Sequence, residues 1–382
     1  MVALTPPTGQ RGVVAMVRIA RPLRVGVSVV LAVALIVLGG PSAEPASVGA
    51  VVAAPSLARL IGQKLVVRMD GTVPSADLLG RIRRGEVGGV ILFGPNITTR
   101  AALVALTRQL HAAALAGGQP PLLVAVDQEG GSIKRIPWAP PTLTLPAMGR
   151  LGSTTTARSQ GAATGAALAA LGVDVDLAPV ADVPVSTASF LSRAGRTWSS
   201  SATRTAALAD AFSTGLESRG VAPTLKHFPG LGEATLNTDL RIVSIRASRS
   251  ALAGELLPYR TAIAHHVPLI MLSNATYTAY DPFAAAGWSP AINTVLLRQQ
   301  LGFTGATITD SLDGTAAARG YSAAHLAIRA AKAGTDLLLV TGSEASTRSD
   351  FTQLLAAATA GTIPRAALLA SWSRILALKA TF

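Results

Sequence analysis

Val221-Ala222-Pro223-Thr224-Leu225-Lys226-His227-Phe228-Pro229-Gly230 begins as a short apolar run and breaks into a Gly/Pro-rich loop just after a lysine and a histidine. An apolar run this short, closed by turn residues, reads as a buried strand. Charge placed where such a strand meets solvent is how parallel α/β sheets present functional groups. The pattern recurs along the chain, with runs at residues 64–69, 89–93, 122–126, 173–178, 222–225, 269–272, 306–309 and 336–340. Ala-rich segments of helical period lie between them. Residues 199–219 are an example, with a serine cluster to cap the start and Gly220 to end it. Eight strands with helical crossovers predict a single α/β domain, a (β/α)8 TIM-type barrel over residues 51–382, in preference to an open doubly wound sheet.

Composition agrees with one large core. The 382 residues are 49% hydrophobic with mean hydropathy +0.44, which excludes disorder for most of the chain. The net charge of +13 would suit nucleic acid, but no Lys/Arg run with interleaved aromatics accompanies it, and aromatics are 4% of the chain. The charge therefore reads as a surface property suited to an anionic envelope. There is no cysteine, so disulfides, thiolate metal sites and cysteine nucleophiles are excluded.

The first fifty residues read as an export signal. Arg11, Arg18, Arg21 and Arg24 precede an apolar run at residues 25–38, which Gly39-Gly40-Pro41-Ser42-Ala43 breaks. The run is about fourteen residues, short of the roughly twenty a spanning helix needs, which favours a cleaved signal over a retained anchor. Val48-Gly49-Ala50 offers a small-x-small cleavage pattern. The expectation is a cell-envelope or secreted protein, in contact with a membrane through this segment alone if it is not cleaved.

The strand ends carry the unusual residues: Asp127, Asp182, Lys226 with His227, Asn274 and Asp310. A barrel would gather them on one face. Asp127-Gln128-Glu129-Gly130-Gly131, with Arg135 beyond it, either holds the hydroxyls of a polar substrate or is a turn closed by an ion pair. Arg196 and Trp198 lie in the loop after the fourth run, where the indole either stacks on a sugar or packs. Asp310 follows a β-branched strand, so rigid backbone would hold it as a nucleophile or transition-state stabiliser must be held. Asp313 reads instead as an acid in a helix first turn. Other chemistries lack their residues: no His-x-x-x-His pair, no phosphate loop and no Gly-x-Ser-x-Gly elbow is present. His111, His325, His265 and His266 read as surface or helix-end residues.

Taken in order, these segments resemble glycoside hydrolase family 3, in particular its single-domain β-N-acetylhexosaminidases of the peptidoglycan-recycling type. The resemblance runs through Ile61-Gly62-Gln63, Gly88-Gly89-Val90-Ile91-Leu92-Phe93, Asp127-Gln128-Glu129-Gly130-Gly131 and Leu177-Ala178-Pro179-Val180-Ala181-Asp182-Val183. It continues through Lys226-His227-Phe228-Pro229-Gly230, Leu301-Gly302-Phe303-Thr304-Gly305 and Ile308-Thr309-Asp310. It implies a barrel with Asp310 as the nucleophile of a retaining glycosidase. It also implies that Asp127, Arg135, Arg196, Lys226 and His227 hold the non-reducing sugar, with a β-linked amino-sugar glycan as substrate and no metal or organic cofactor.

One loop departs from the family pattern. Family members read Lys-His-Phe-Pro-Gly-His-Gly-Asp-Thr followed by an Asp-Ser-His triplet, whose histidine and aspartate form the acid/base. Here Leu231, Asn237 and Asp239 stand at the positions of the loop histidine, the dyad aspartate and the dyad histidine. Two readings follow. Either Asp239 acts as a carboxyl acid/base, with Glu233 as its substitute, or the chain is an impaired relative that binds glycans or turns over only substrates with good leaving groups; a hydrolase of another β-glycoside is the further alternative.

Overall fold

The computed structural model describes residues 54–382, and the expected export signal lies outside the described residues. The eight expected strands are present. They are β1 (Leu65–Arg68), β2 (Gly89–Leu92), β3 (Leu123–Val126), β4 (Val175–Asp176), β5 (Ala222–Phe228), β6 (Leu269–Leu272), β7 (Ala306–Thr309) and β8 (Leu338–Val340). All neighbours pair in parallel, in the order β7-β6-β5-β4-β3-β2-β1-β8. A bridge from Ile308 to Leu337 joins β7 to the start of β8 and closes the ring. The barrel and its core are complete within residues 54–382.

Two strands differ from their sequence runs for identifiable reasons. The fourth run shrinks to Val175–Asp176, because Asp174 turns its carboxylate onto the Val124 N–H (2.8 Å) and Pro179 cannot donate to a ladder. The fifth run lengthens to Phe228, so Lys226 and His227 belong to the strand and are buried, not solvent-facing. Strand burial of charge requires partners, and both residues have them.

The helix expected over residues 199–219 is Ala202–Glu217, capped by Ser201, whose hydroxyl accepts from the Arg204 N–H. The C-terminal tail is two helices, Glu344–Thr359 and Arg365–Lys379, and the second seals the lower mouth of the barrel. There Arg374 and Arg298 clamp the buried Asp336 carboxylate at 2.8 and 2.7 Å, and Lys64 donates to Thr335 O and Ser371 Oγ, each at 2.7 Å. Burial pushes Lys64 down to about 8 against the pull of Asp336. In this fold polar networks at the N-terminal ends of the strands serve stability, leaving the opposite face for chemistry. Among the described residues no helix is long and apolar enough to cross a membrane.

Candidate active site

A cavity of about 270 Å³ opens at the C-terminal ends of the strands. Its floor is apolar, made of Ile91, Leu177, Met271 and Leu339 from inside the barrel. Its walls contain Asp127, Arg135, Arg196, Lys226, His227, Asp239 and Asp310, so the fold brings these seven expected site residues to one place.

The charges interlock around a residue that sequence reasoning left without a role. Lys226 Nζ lies 2.7 Å from both Asp127 Oδ1 and Glu129 Oε1. Arg196 grips Glu129 with two parallel bonds, Nε at 2.9 Å and Nη2 at 2.7 Å. Burial pushes the Glu129 carboxyl up, but Lys226 and Arg196 outweigh it and hold its pKa at about 2. Glu129 is therefore the anionic keystone under two cationic walls. Its signal was its place in the Asp-x-Glu-Gly-Gly hairpin, where Gln128–Gly130 pairs with Ile133–Lys134. Arg135 stands over the Phe93 ring at 5.6 Å, with Nη2 3.7 Å from Asp127 Oδ2.

His227 is fixed from behind by Asp182, which is fully buried. Its Nδ1 lies 2.7 Å from Asp182 Oδ2, and the same carboxylate accepts from the Leu231 N–H at 2.7 Å. That contact sets the tautomer and leaves Nε2 for the cavity. Beneath the cluster, Asp176 takes one bond from the Gln128 N–H (2.9 Å), while its other oxygen has no partner. Burial pushes its pKa up to about 8.

Asp310 and Asp239 both line this cavity, from the loops after β7 and β5. Asp310 ends β7, and one of its oxygens accepts from the Ser311 N–H at 2.8 Å. Asp239 sits in the loop after β5, where Asn237 Oδ1 accepts its backbone N–H at 2.9 Å. Its Oδ1 is buried with no partner. Burial, then the charge of Asp310, push the Asp239 pKa up to about 7. The helix Leu312–Arg319 presses on this loop through Gly314, where an added Cβ would come 2.6 Å from Asp239 O.

Several sequence candidates lie elsewhere. Glu233 is half-buried and does not line the cavity. Trp198 is a packing residue: its indole is buried, donates to Val180 O at 2.7 Å and meets Phe212 edge-on. Asn274 works from behind, donating to Ser311 O at 2.8 Å. Asp313 is the expected first-turn acid and also accepts the Thr341 N–H, tying the β7 and β8 loops together. His111 bonds Gly172 O, His265 pairs with Asp210, and His325 stacks on Tyr321. A second cavity adjoins the first, sharing Phe93, Arg135 and Thr341 and adding Arg68, Asp70 and Asn96. No group of three or more His, Cys, Asp or Glu among the described residues is placed to hold a metal.

Arg196→Lys tests the keystone, since a lysine cannot reproduce the two-bond grip on Glu129. The expected result is a stability loss of about 1–3 kcal/mol by denaturant titration and a KM raised about tenfold. An Asp176→Asn variant addresses the buried acid. The raised folded pKa means that the Asp176 contribution to stability is present below pH 3.8 and lost as pH rises through about 8. The variant is expected to flatten that part of the stability-against-pH curve, measured by thermal unfolding across the window.

Comparison with known proteins places this geometry. A family model described as "Glycosyl hydrolase family 3 N terminal domain" matches residues 57–378. An uncharacterized secreted glycosyl hydrolase of Arthroderma benhamiae is 33% identical over 343 residues, covering 88% of this chain and 97% of that protein. A β-hexosaminidase of Alkalilimnicola ehrlichii is 32% identical over 286 residues, 72% of this chain and 80% of its own length. The solved family 3 β-N-acetylglucosaminidase of Paenibacillus sp. superposes with a TM-score of 0.81 at 30% identity, covering 86% of this chain and 63% of that longer one. The chain belongs to glycosyl hydrolase family 3, as a β-hexosaminidase-like glycosidase with a (β/α)8 barrel.

Proposed function

We propose that the protein is an exported β-N-acetylhexosaminidase that removes N-acetylglucosamine from cell-wall-type glycans with retention of configuration, its catalytic domain spanning residues 51–382. The observation that carries this reading is the pair of carboxyls, Asp310 and Asp239, in one cavity, with Asp239 pushed up to about 7. Glycoside hydrolysis needs one carboxylate that attacks and one carboxylic acid that protonates, and a difference in environment assigns the roles.

Asp310 attacks the anomeric carbon and forms a glycosyl ester, while Asp239 gives its proton to the departing oxygen. Asp239, now a carboxylate, takes a proton from water as that water displaces Asp310 and regenerates both groups. Lys226, Arg196, Arg135, His227 Nε2 and Asp127 hold the hydroxyls of the non-reducing sugar, with donors outnumbering acceptors. The leaving group occupies the adjoining cavity beside Arg68 and Asn96. The amino-sugar assignment is supported by the named activities of the relatives, and export by the order of residues 11–50 together with the secreted relative.

The test is incubation with an aryl β-N-acetylglucosaminide, an aryl β-glucoside and chitobiose. The expected order is cleavage of the first and third with little of the second. Release from none of them, alongside measurable glycan binding, would replace the enzyme reading with a glycan-binding one.

A further inference from the structure

Beside the cavity mouth, the loop after β5 continues into a small outer sheet whose exposed side has no role in the chemistry above. Its strands are Ser244–Ile245, Thr276–Tyr277 and Asp281–Ala285, with Thr276–Tyr277 in the middle. Val243 and Ile245 point into the core, so Ile242, Ser244 and Arg246 face outward, Ile242 at 54% exposure. At the far hairpin, Phe283 is 90% exposed, beyond what any other large apolar side chain among the described residues shows. Core packing gives no reason for a phenylalanine there.

The charge on this module has one sign. Arg241, Arg246, Arg249 and Arg260 are exposed, and the ion pairs among the described residues include none of them. Arg249 donates to Ala279 O at 2.9 Å and stands over the half-buried Tyr280 ring at 5.3 Å. Between Asp239 and Asp281 the sequence has a single carboxylate, Glu255, and it is buried under the Gly232 N–H. Asp281 is turned inward, one oxygen accepting from the Phe283 and Ala284 N–H groups and the other from Ser289 Oγ. Within residues 240–280 the exposed side chains thus include arginines and an isoleucine but no exposed carboxylate, and Phe283 protrudes beside them. The acids from outside this segment that act on the middle strand's Tyr277 are the buried Asp182 and the half-buried Glu233.

We propose that this module, Ile242, Phe283 and the arginines 241, 246, 249 and 260, is a docking surface for an anionic phospholipid bilayer. A polyanion such as a teichoic-acid-like polymer would be served by the arginines alone. Exposed Phe and Ile on a module that also carries four exposed arginines match the interface of a bilayer, where apolar side chains enter the acyl boundary and guanidiniums stay with the phosphates. Arg241 follows Asp239 by two residues in the chain, so docking holds the cavity mouth beside the lipid surface and favours glycans made or anchored there. The surface itself does not depend on the proposed hydrolytic reaction.

The experiment uses residues 54–382, which exclude the amino-terminal apolar run and contain the complete barrel and core. Sedimentation with phosphatidylglycerol-containing vesicles is compared with phosphatidylcholine vesicles and with soluble polyphosphate. Binding to the anionic vesicles is expected, falling by about tenfold or more both in Ile242→Ser/Phe283→Ser and in a variant with the four arginines changed to glutamine. Hydrolysis of a soluble aryl glycoside should stay unchanged in both variants, which also reports that they fold. Failure of the parent protein to bind vesicles overturns the proposal. So does loss in the arginine variant alone with polyphosphate bound equally well, which assigns a polyanion site. A concentration-dependent dimer that Phe283→Ser dissociates assigns the face to a second copy and overturns it too.

Discussion

Replacing Asp310 with alanine is expected to lower kcat on every substrate by at least about 10⁴-fold, because on the proposed mechanism the variant loses the attacking atom rather than a helper. The carboxylate is held on rigid backbone: the Asp310 N–H bonds Leu272 O on the neighbouring strand β6 at 3.1 Å, and its side chain takes the Ser311 N–H. Of the other carboxyls in the cavity walls, Asp127 and Glu129 are already committed to Lys226 and Arg196, and Asp239 is the one proposed as the acid. Sugar binding by Asp310→Ala, followed by fluorescence or calorimetry, should persist, because the sugar-holding set is untouched. Turnover within tenfold of the parent would remove Asp310 from the nucleophile role, and a product released first as the α-anomer would exclude retention.

Asp239→Asn should split substrates by leaving group. On chitobiose, kcat/KM is expected to fall about 10²–10⁴-fold, the usual worth of a positioned acid. On an aryl glycoside, whose leaving group departs with little protonation, kcat/KM should fall less than about tenfold, while kcat drops further because the second step still needs a base. The pH dependence follows from the raised pKa. Asp239 keeps its proton up to about pH 7, so the parent kcat/KM for chitobiose should decline as pH rises through about 7, and this limb should be missing in the variant. The same shift has a stability sign: the Asp239 contribution is present below pH 3.8 and is lost as pH rises through about 7. Equal losses on both substrates would exclude Asp239 as the acid.

What could be read from sequence, and what could not, divides along local and non-local physics. The barrel was legible because each strand is a short apolar run closed by turn residues, a pattern visible within ten residues. Asp310 and Lys226 were legible for the same reason, as charge at strand ends. Burial of Lys226 and His227 was not, because it depends on Glu129 and Asp182, whose spatial nearness only closure of the ring creates. Trp198 shows the converse: indole chemistry permits stacking, and its bond to Val180 O decides for packing. Glu233 resembled Asp239 in sequence, but only Asp239 falls under the helix that follows β7. The lower seal formed by Asp336, Arg374 and Lys64 was invisible for a similar reason, its members lying far apart in the chain.

The contact at Gly314 has a mechanical consequence. Gly314 lies in the first turn of a helix that starts two residues after Asp310, and the same helix packs against the backbone of Asp239. The jaws of the reaction thus rest on one rigid bar, with a missing side chain as the shim between them. Thickening the shim by one methyl would push the upper jaw away from the lower. Separation of the two carboxyls decides whether a sugar is attacked by protein or by a water admitted between them. On the proposed mechanism, Gly314→Ala is therefore expected to shift the Asp239 backbone and lower turnover, which a comparison of kcat and of the released anomer with the parent checks.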